Sequence, residues 1–386
     1  MNRAHAAVAA TFLAFGIGMG LWAGASAFVL ARSGVAAGGF GVALTLQAIG
    51  YLCAMAGGGT LARLVSLRRI LTGAVACMGL VLAALLQSAA PVAIYLNLAL
   101  VGLIAGLVDL IMNAEGTRVE AELARPILAG LHGAASVGLA LGAIAGSLIA
   151  VRFGTLPVGL IILLVFAATV LLIACATPER GLSPLPAKGG APQGIFTRPL
   201  VILGLVLGTS MAGESAAMTW STSLLAQDAP RLAEIAGAGA TFFAICQASM
   251  RFCADALRAR IADRVLMTVS LAIAACGYGL VALHVSFTLS LIGFAIIGIG
   301  TGAIVPCGFA LAVAASRLPA ASALSVVTTV AGLPRLPAPL AMGAIAAQLS
   351  FAGAFGLFTL LFAAAFVLLA LTLRAPSPAT LESVAP

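Results

Sequence analysis

The 386-residue sequence contains very little charge: only 8% of its residues are charged, whereas 62% are hydrophobic. Ordinary soluble domains contain about 25% charged residues, so this chain cannot cover a large folded body with polar surface. That scarcity excludes a soluble enzyme. The formal charge of +8 comes from basic residues spread thinly through apolar stretches, without the dense basic patch that binds nucleic acid. We therefore expect no nucleic-acid partner.

The sequence also lacks the motifs of nucleotide, metal and covalent chemistry. Lys188 is its single lysine, so it contains no phosphate-binding GxxxxGK[ST] motif and ATP-driven pumping by this chain is not expected. The three histidines, His5, His132 and His284, are far apart and form no HExxH motif, and the seven cysteines form no CxxC pair. We expect no enzyme, no cofactor, no metal site and no disulfide framework.

Long apolar runs, by contrast, fill most of the chain. A bilayer core is crossed by about 20 mostly apolar residues, and such a run must be helical because lipid offers no partners to an open strand. Twelve runs of this kind predict an all-α membrane protein with twelve transmembrane helices. They cover approximately residues 6–30, 39–61, 70–88, 93–115, 127–150, 156–176, 199–225, 236–256, 265–284, 287–314, 320–348 and 351–373.

The first run has some features of a signal peptide. Arg3 precedes an apolar core, and Ala25-Ser26-Ala27 resembles a cleavage site. Its length of about 25 residues and the runs that follow favour a helix that is retained, so we count it as the first span.

The basic residues predict the orientation of the helices. If the N-terminus is cytoplasmic, fourteen of the 19 basic residues fall in cytoplasmic segments and three, Arg32, Arg152 and Arg231, fall in outside loops. This asymmetry satisfies the positive-inside rule, so both termini are expected to be cytoplasmic.

The longest polar stretch, residues 177–198, is rich in Pro, Gly and charge and is typical of a linker. We therefore expect an N-terminal six-helix bundle at 1–176 and a C-terminal six-helix bundle with a short cytoplasmic tail at 199–386. Residues 196 positions apart match between the two, namely Gly102 with Gly298, Gly106 with Gly302, and Arg68 with Arg264. Parallel repeats with binding sites at their interface are typical of secondary transporters.

Several local strings give a resemblance to a known family. Residues 250–260, MRFCADALRAR, are similar to the signature that the major facilitator superfamily carries between spans eight and nine, with Asp255 at its acidic position. Residues 109–116 (DLIMNAEG) and 214–221 (ESAAMTWS) resemble a bacterial inner-membrane permease branch grouped with the fucose permeases. The resemblance covers nearly the whole chain. It implies two six-helix bundles related by pseudo-two-fold symmetry, the major facilitator fold, in the bacterial inner membrane.

The same signature indicates a cytoplasmic gate. Arg251 and Asp255 are one helical turn apart, and an ion pair there would close the inward side and break when the halves rock. The corresponding first-half string contains Arg63, but Ala62 stands where the family usually has Asp. We expect Arg251, Asp255 and Arg63 to form the gate, without the usual first-half carboxylate.

Two charged residues lie near the middle of predicted spans and are the leading candidates for binding substrate or protons. A carboxylate such as Glu214 costs about 2.5–3.5 kcal/mol at the membrane centre on insertion scales. Burial disfavours its charged form, so Glu214 can take up and release a proton. Arg335 lies among three prolines, which bend a helix and mark a cavity lining. We expect a Glu214–Arg335 pair; the alternatives are a structural role for Glu214 and an Arg335 that extends to the interface.

A second polar group is predicted between spans four and five. Asp109 and Asn113 are one turn apart on one helix face, and His132 lies at a similar depth in the next span. Since His titrates near neutral pH, Asp109 and His132 would form a second proton relay; a static Asp–His–Asn network is the alternative. Trp220 follows Glu214 by six residues and either stacks against a sugar-like ring or fills space.

Gly138, Gly142 and Gly146 repeat every four residues on one face of span five. Small residues at this spacing let helix backbones approach closely. The stripe is therefore either a pivot between the halves or ordinary packing.

These features predict a secondary active transporter that moves a small polar solute, sugar-like or a small metabolite, by alternating access. The coupling ion would be a proton, carried by Glu214 or Asp109. Proton-driven efflux of drugs or metabolites is the alternative, and a channel or scaffold fits two asymmetric halves with central charges less well. The expected partners are the small-molecule substrate, protons and the lipid bilayer, and the chain is expected to act as a monomer.

Overall fold

The computed structural model describes residues 3–123, 127–176, 196–316 and 320–372, in which every regular element is helical. The first half contains α1 (Arg3–Ser33), α2 (Ala37–Leu64), α3 (Leu67–Leu86), α4 (Pro91–Leu123), α5 (Leu128–Phe153) and α6 (Thr155–Ala176). The second half contains α7 (Arg198–Asp228), the 3₁₀ helix η1 (Pro230–Ile235), α8 (Ala238–Arg258), α9 (Asp263–Ala282), α10 (Phe287–Gly302), α11 (Ile304–Ala314), α12 (Ala320–Arg335), α13 (Ala338–Gln348) and α14 (Phe351–Thr372). Residues 177–195 of the predicted linker lie outside the described residues.

All twelve predicted spans correspond to a helix or a pair of helices. In the described part of the chain, eleven segments are long and apolar enough to cross a membrane. The remaining predicted span is α8, whose 21 residues include Gln247, Arg251 and Asp255. Polar residues within membrane helices face the protein interior, and α8 packs against α5, α7 and α10. Gln247 donates to Thr301 and Arg251 pairs with Glu214, so these two polar side chains of α8 have partners inside the second bundle.

Two spans are broken near their middle. The tenth span changes from α10 to α11 at Ala303, and the eleventh changes from α12 to α13 at Leu336 and Pro337. Pro334 and Pro337 explain the second break, because proline lacks the N–H group and its ring clashes with the preceding turn. The proline cluster predicted this bend, and it leaves Arg335 at the junction of two half-helices.

The two halves repeat the same helix pairs. In the first half α1 packs on α5, α2 on α4 and α3 on α6, and in the second α7 packs on α12, α8 on α10 and α9 on α14. Arg68 donates to the carbonyl oxygen of Ala174 at 2.6 Å, and Arg264 donates to that of Ala370 at 3.0 Å. Both residues of this contact are shifted by the 196 positions that the sequence repeat predicts.

Close glycine contacts follow the same offset. A Cβ atom on Gly102 would lie 1.9 Å from the carbonyl oxygen of Gln47, and one on Gly298 would lie 2.3 Å from that of Phe243. The equivalent helices therefore approach each other backbone to backbone at equivalent positions. These repeated contacts are the physical basis of the pseudo-symmetry between the bundles.

The glycine stripe of α5 has the simpler of its two predicted roles. Gly138, Gly142 and Gly146 lie against backbone atoms of α1, with built Cβ atoms 2.4–2.5 Å from carbonyl oxygens of that helix. Because α1 and α5 belong to the same half, the stripe packs the first bundle and is not a pivot between the halves.

The halves meet along two main seams, α2 with α13 and α5 with α8. We call the end of the bundle where α6 ends and α7 begins the linker face, and the other end the opposite face. Near the opposite face, Gly41 contacts the backbone of Pro339 and Gly343 across the first seam. The second seam extends farther, from Gly237 against Ala143 towards the linker face.

Candidate functional site

Glu214 lies in the middle of α7 and forms an ion pair with Arg251 of α8. Arg251 Nη2 lies 3.0 Å from Glu214 Oε2, and Ser210 Oγ lies 3.3 Å from Glu214 Oε1. The Glu214 side chain is 14% exposed and that of Arg251 is 40% exposed. The pair is therefore sheltered on its acidic side and accessible on its basic side.

This geometry corrects the predicted pairing of Glu214 with Arg335. Both carboxylate oxygens of Glu214 have partners within the second bundle. The break between α12 and α13 instead directs Arg335 towards the first bundle, where its guanidinium carbon lies 5.6 Å from the centroid of the Tyr51 ring. Arg251, which was predicted to pair with Asp255 at the gate, has its described partner in Glu214.

Arg335 is exposed and lines two small cavities between the halves. A cavity of about 20 Å³ is bounded by Arg335, Ser215, Trp220 and the first turn of α13. A larger cavity of about 140 Å³ is bounded by Arg335, Tyr51 and mostly apolar side chains of α2, α7 and α12. The guanidinium thus lines space between the halves.

Asp109 and Asn113 form the polar group predicted on α4, with an additional member. Asn113 Nδ2 donates to Asp109 Oδ1 at 3.0 Å, and the Tyr51 hydroxyl donates to Asp109 Oδ2. Sequence reasoning missed Tyr51, although its position 196 residues before the polar residue Gln247 of α8 was a usable signal. Tyr51 connects Asp109 to Arg335 and therefore connects the two halves.

His132 lies at the start of α5 but does not join the Asp109–Asn113 network through a described hydrogen bond. Its ring makes an edge contact with Phe12, with centroids 5.1 Å apart. The charged groups close enough to act on it are Asp109 and Arg251. An acidic residue of the first half and a basic residue of the second therefore both act electrostatically on His132.

Trp220 belongs to an aromatic layer that separates two spaces. Its ring centroid lies 4.8 Å from that of Phe40 and 5.7 Å from that of Phe351. On one side, Trp220 lines the small cavity that contains Arg335. On the other side, all three aromatic residues line a vestibule of about 610 Å³ at the opposite face. We refer to Phe40, Trp220 and Phe351 as the aromatic layer.

Polar contacts between the halves reinforce the opposite face. Arg152 Nε lies 2.8 Å from Glu234 Oε2, and Thr241 Oγ1 donates to the carbonyl oxygen of Ala140 at 2.9 Å. Arg152 and Ala140 belong to α5, whereas Glu234 and Thr241 belong to η1 and α8. No sequence pattern predicts the Arg152–Glu234 pair, because its members are 82 residues apart in different bundles.

The predicted gate is only partly visible. The side chains of Arg63 and Asp255 lie outside the described residues, although both positions are in helices. Near the linker face, Phe252 of α8 contacts Gly133 of α5 across the halves, and a built Cβ atom on the glycine would lie 2.3 Å from the ring. The gate formed by Arg63, Arg251 and Asp255 therefore stays a prediction.

Comparisons with known proteins find similar membrane transporters. No family model matches the chain. An uncharacterised MFS-type transporter from Yersinia pestis is 31% identical over 355 residues, which cover 91% of each protein. An uncharacterised transporter from Sinorhizobium fredii is 31% identical over 351 residues, which cover 88% of this chain and 90% of that protein.

Solved structures agree on the fold. The nucleoside transporter NupG is similar with a TM-score of 0.78 and 11% identity, over 97% of this chain and 100% of that one. The human organic anion transporter TETRAN is similar with a TM-score of 0.62 and 18% identity, over 95% of this chain and 99% of that one. At these identities the likeness extends to the fold alone.

Proposed function

The chain belongs to the major facilitator superfamily of membrane transporters, and from that premise we propose that it carries a small polar solute by proton-coupled alternating access. As a transporter it is not an enzyme. The proposed solute is sugar-like or a small metabolite. The proposed binding residues are Glu214, Arg335, Asp109, Asn113, His132 and Trp220.

The ion pair of Glu214 with Arg251 is the observation that carries the proposal. A carboxylate in the interior of a membrane protein needs a compensating group, and here an arginine at 3.0 Å supplies it. A proton on Glu214 removes the negative charge and weakens its hold on Arg251. The freed guanidinium, which is 40% exposed, is then available to other groups, so protonation of one residue changes what the neighbouring residue can bind.

Alternating access also needs a contact that changes when the two bundles rock, and the contact of Arg335 with Tyr51 can supply it. Arg335 belongs to the second half and Tyr51 to the first. Rocking of the bundles would separate this pair, whereas Glu214 and Arg251 move together within one bundle. Solute and proton binding are thereby proposed to bias the same rocking motion.

The permease branch and the orientation are parts of the same proposal. The strings 109–116 and 214–221 support a place in the branch grouped with the fucose permeases. The distribution of basic residues supports a cytoplasmic linker face, with both termini cytoplasmic, in a bacterial inner membrane. In this orientation the vestibule above the aromatic layer opens to the outside, and the chain is proposed to act as a monomer.

A proton-flux assay tests the proposal. The purified chain is reconstituted into liposomes that contain a pH-sensitive dye, and sugars, nucleosides and small organic acids are added in turn outside. One solute class is expected to change the internal pH in liposomes with wild-type protein and in those with Glu122→Gln, a matched change at the linker end of α4. Glu214→Gln is expected to abolish the signal, because the amide does not titrate.

Two outcomes would remove the proposed coupling. One is a solute that accumulates without any proton movement in the wild-type protein. The other is an unchanged proton signal in Glu214→Gln.

Export is the second candidate direction. Concentrative uptake into energised vesicles that a protonophore collapses would favour import of the solute. Loss of the same solute from preloaded cells, driven by the proton gradient, would favour efflux of drugs or metabolites.

A further inference from the structure

We propose that the solute carries a carboxylate or an equivalent anionic group, and that Arg335 together with the N-terminus of α13 binds it. This inference rests on the proposed transport function and names its substrate class: a small organic anion with an apolar body. It is carried by the guanidinium, the helix terminus and the two cavities around them.

The first step is the bonding state of Arg335. A guanidinium has five N–H donors and no capacity to become neutral in a protein. Among the described residues Arg335 makes no hydrogen bond or ion pair, and its described partner is the face of the Tyr51 ring. A contact with a ring face satisfies none of the N–H donors, so they stay available for bidentate binding of a carboxylate.

The acidic residues of the candidate site already have partners within the chain. Glu214 pairs with Arg251 and accepts from Ser210. Asp109 accepts from Tyr51 and Asn113. Each of these acids thus has its own donors, and the Arg335 charge is left for a group that comes from outside the chain.

The second step is the helix terminus beside Arg335. The break at Pro337 starts a new helix of 11 residues, α13, at Ala338. The N-terminus of a helix carries partial positive charge and free N–H groups, which attract anions. Pro337 and Pro339 have no N–H group, so the first turn offers those of Ala338 and Leu340. Ala338 lines the same cavity of about 20 Å³ as Arg335, so the guanidinium and the helix terminus border one small space.

The third step is the size and polarity of the adjoining space. The neighbouring cavity of about 140 Å³ is also lined by Arg335, and its walls include Ala48, Leu52, Met211 and Leu336. An apolar cavity of about 150 Å³ accommodates benzene. The arrangement therefore fits a compact apolar body in the larger cavity, with its anionic group on Arg335.

This assignment also fits the proposed coupling. A monoanion that enters together with one proton adds no net charge to the membrane interior. Protonation of Glu214 would supply that proton, so the two events compensate each other electrostatically. We expect the anion to bind more strongly when Glu214 is protonated.

Equilibrium binding tests the inference without any transport step. Benzoate and butyrate are titrated into the purified full-length chain at neutral pH by calorimetry, and benzamide and butyramide serve as neutral analogues of the same shape. The carboxylates are expected to bind about tenfold or more tightly than the amides, because charge-assisted bidentate hydrogen bonds are the stronger class.

Three variants identify the residue responsible. Arg335→Gln is expected to abolish the preference for carboxylate over amide, and Arg335→Lys to reduce it, since an ammonium lacks the bidentate edge. Arg231→Gln, at an exposed position in η1, removes the same charge far from the cavities and is expected to keep the preference. Melting curves confirm that each variant is folded.

Equal binding of carboxylates and amides to the wild-type chain would overturn the inference. So would a carboxylate preference that persists in both Arg335 variants. If Arg335→Gln does not fold, the carboxylate preference of Arg335→Lys is compared with that of wild type, and an undiminished preference would overturn the inference. The binding experiment requires no proton movement, and the proton-flux assay requires no preference for carboxylates. The two proposals can therefore fail separately.

Discussion

Arg251 and Glu214 lie on neighbouring helices of the same bundle, with Nη2 of the arginine 3.0 Å from Oε2 of the glutamate. Their ion pair can therefore break without separation of the halves. The contact of Arg335 with Tyr51, in contrast, crosses between the halves. The site thus contains one charged contact that responds to protonation and one that responds to rocking.

Replacement of Arg251 by Gln is expected to lower the melting temperature, because Glu214 loses its cation. The loss should be smaller than the roughly 3–5 kcal/mol of a fully buried pair, since Arg251 is 40% exposed. In the double variant Glu214→Gln/Arg251→Gln, part of this stability should return. Melting temperatures of the four proteins in the cycle measure the coupling, and strict additivity of the two single changes would contradict the pairing.

Replacement of Trp220 by Ala is expected to open a passage through the aromatic layer. The indole fills the space between Phe40 and Phe351, and truncation of a packed Trp leaves a large cavity. In a chain freed of its native cysteines, a Ser215→Cys reporter lies behind the layer. A membrane-impermeant thiol reagent added outside should label this reporter faster in the Ala variant.

Trp22→Phe provides the control for that experiment. Trp22 contacts Phe40, with centroids 6.4 Å apart, but lines neither the vestibule nor the small cavity that contains Arg335. Its replacement should leave the labelling rate unchanged. If Trp220→Ala and wild type are labelled equally, the layer is not what closes the vestibule.

Charge reversal at Arg152 is expected to favour separation of the halves at the opposite face. The Arg152–Glu234 pair joins the bundles at 2.8 Å, but its side chains are 56% and 39% exposed. Exposed pairs contribute about 0–1 kcal/mol, so loss of the attraction alone should shift the conformation about fivefold or less, and repulsion between the two carboxylates adds to that shift. Arg152→Glu should speed external labelling of the Ser215→Cys reporter, and the charge-swapped pair Arg152→Glu/Glu234→Arg should restore the slow rate.

High salt supplies an independent check on this contact. Salt screens exposed charges, so it should narrow the difference between wild type and Arg152→Glu. A labelling difference that grows with salt would attribute the effect to something other than the ion pair.

Replacement of Gly298 by Ala is expected to destabilise the second bundle. The new Cβ atom would lie 2.3 Å from the carbonyl oxygen of Phe243, so α8 and α10 must move apart. Overpacking of this kind costs about 1–3 kcal/mol. Gly73→Ala is the matched helical control, because a Cβ there meets nothing within 4 Å.

Thermal unfolding of the purified proteins measures the effect. Gly102→Ala should behave like Gly298→Ala, since the equivalent contact in the first half is as close. Stability equal to wild type in both variants would show that the repeated glycine contacts do not hold the helix pairs together.

Much of the fold could be predicted because the number and position of the membrane spans depend on local sequence. Each span has to be apolar over about 20 residues to be stable in lipid, and this requirement is visible in the chain without knowledge of any contact. Proline chemistry predicted the break near Arg335 in the same local way. The offset of 196 residues was visible from a few glycines and arginines, and the structure reproduces it in the contacts of Arg68 and Arg264.

The candidate site could be predicted only in part. Glu214, Arg335 and Asp109 were identified because an ionisable residue in an apolar span is energetically costly and therefore indicates a functional site. Their partners were not, since Glu214 pairs with Arg251 and Arg335 faces Tyr51. Tyr51 itself was missed because a tyrosine in an apolar span is not unusual.

The sequence by itself determined that this chain crosses a membrane as two related bundles, because hydrophobic length and repeat spacing are properties of the chain read in order. The tertiary structure alone decided which charges meet, which aromatic residues close the vestibule and which cavities Arg335 lines. These relationships depend on the rotation and depth of each helix against its neighbours. Rotation and depth are set by packing between residues that are far apart in the chain, and no local pattern specifies them.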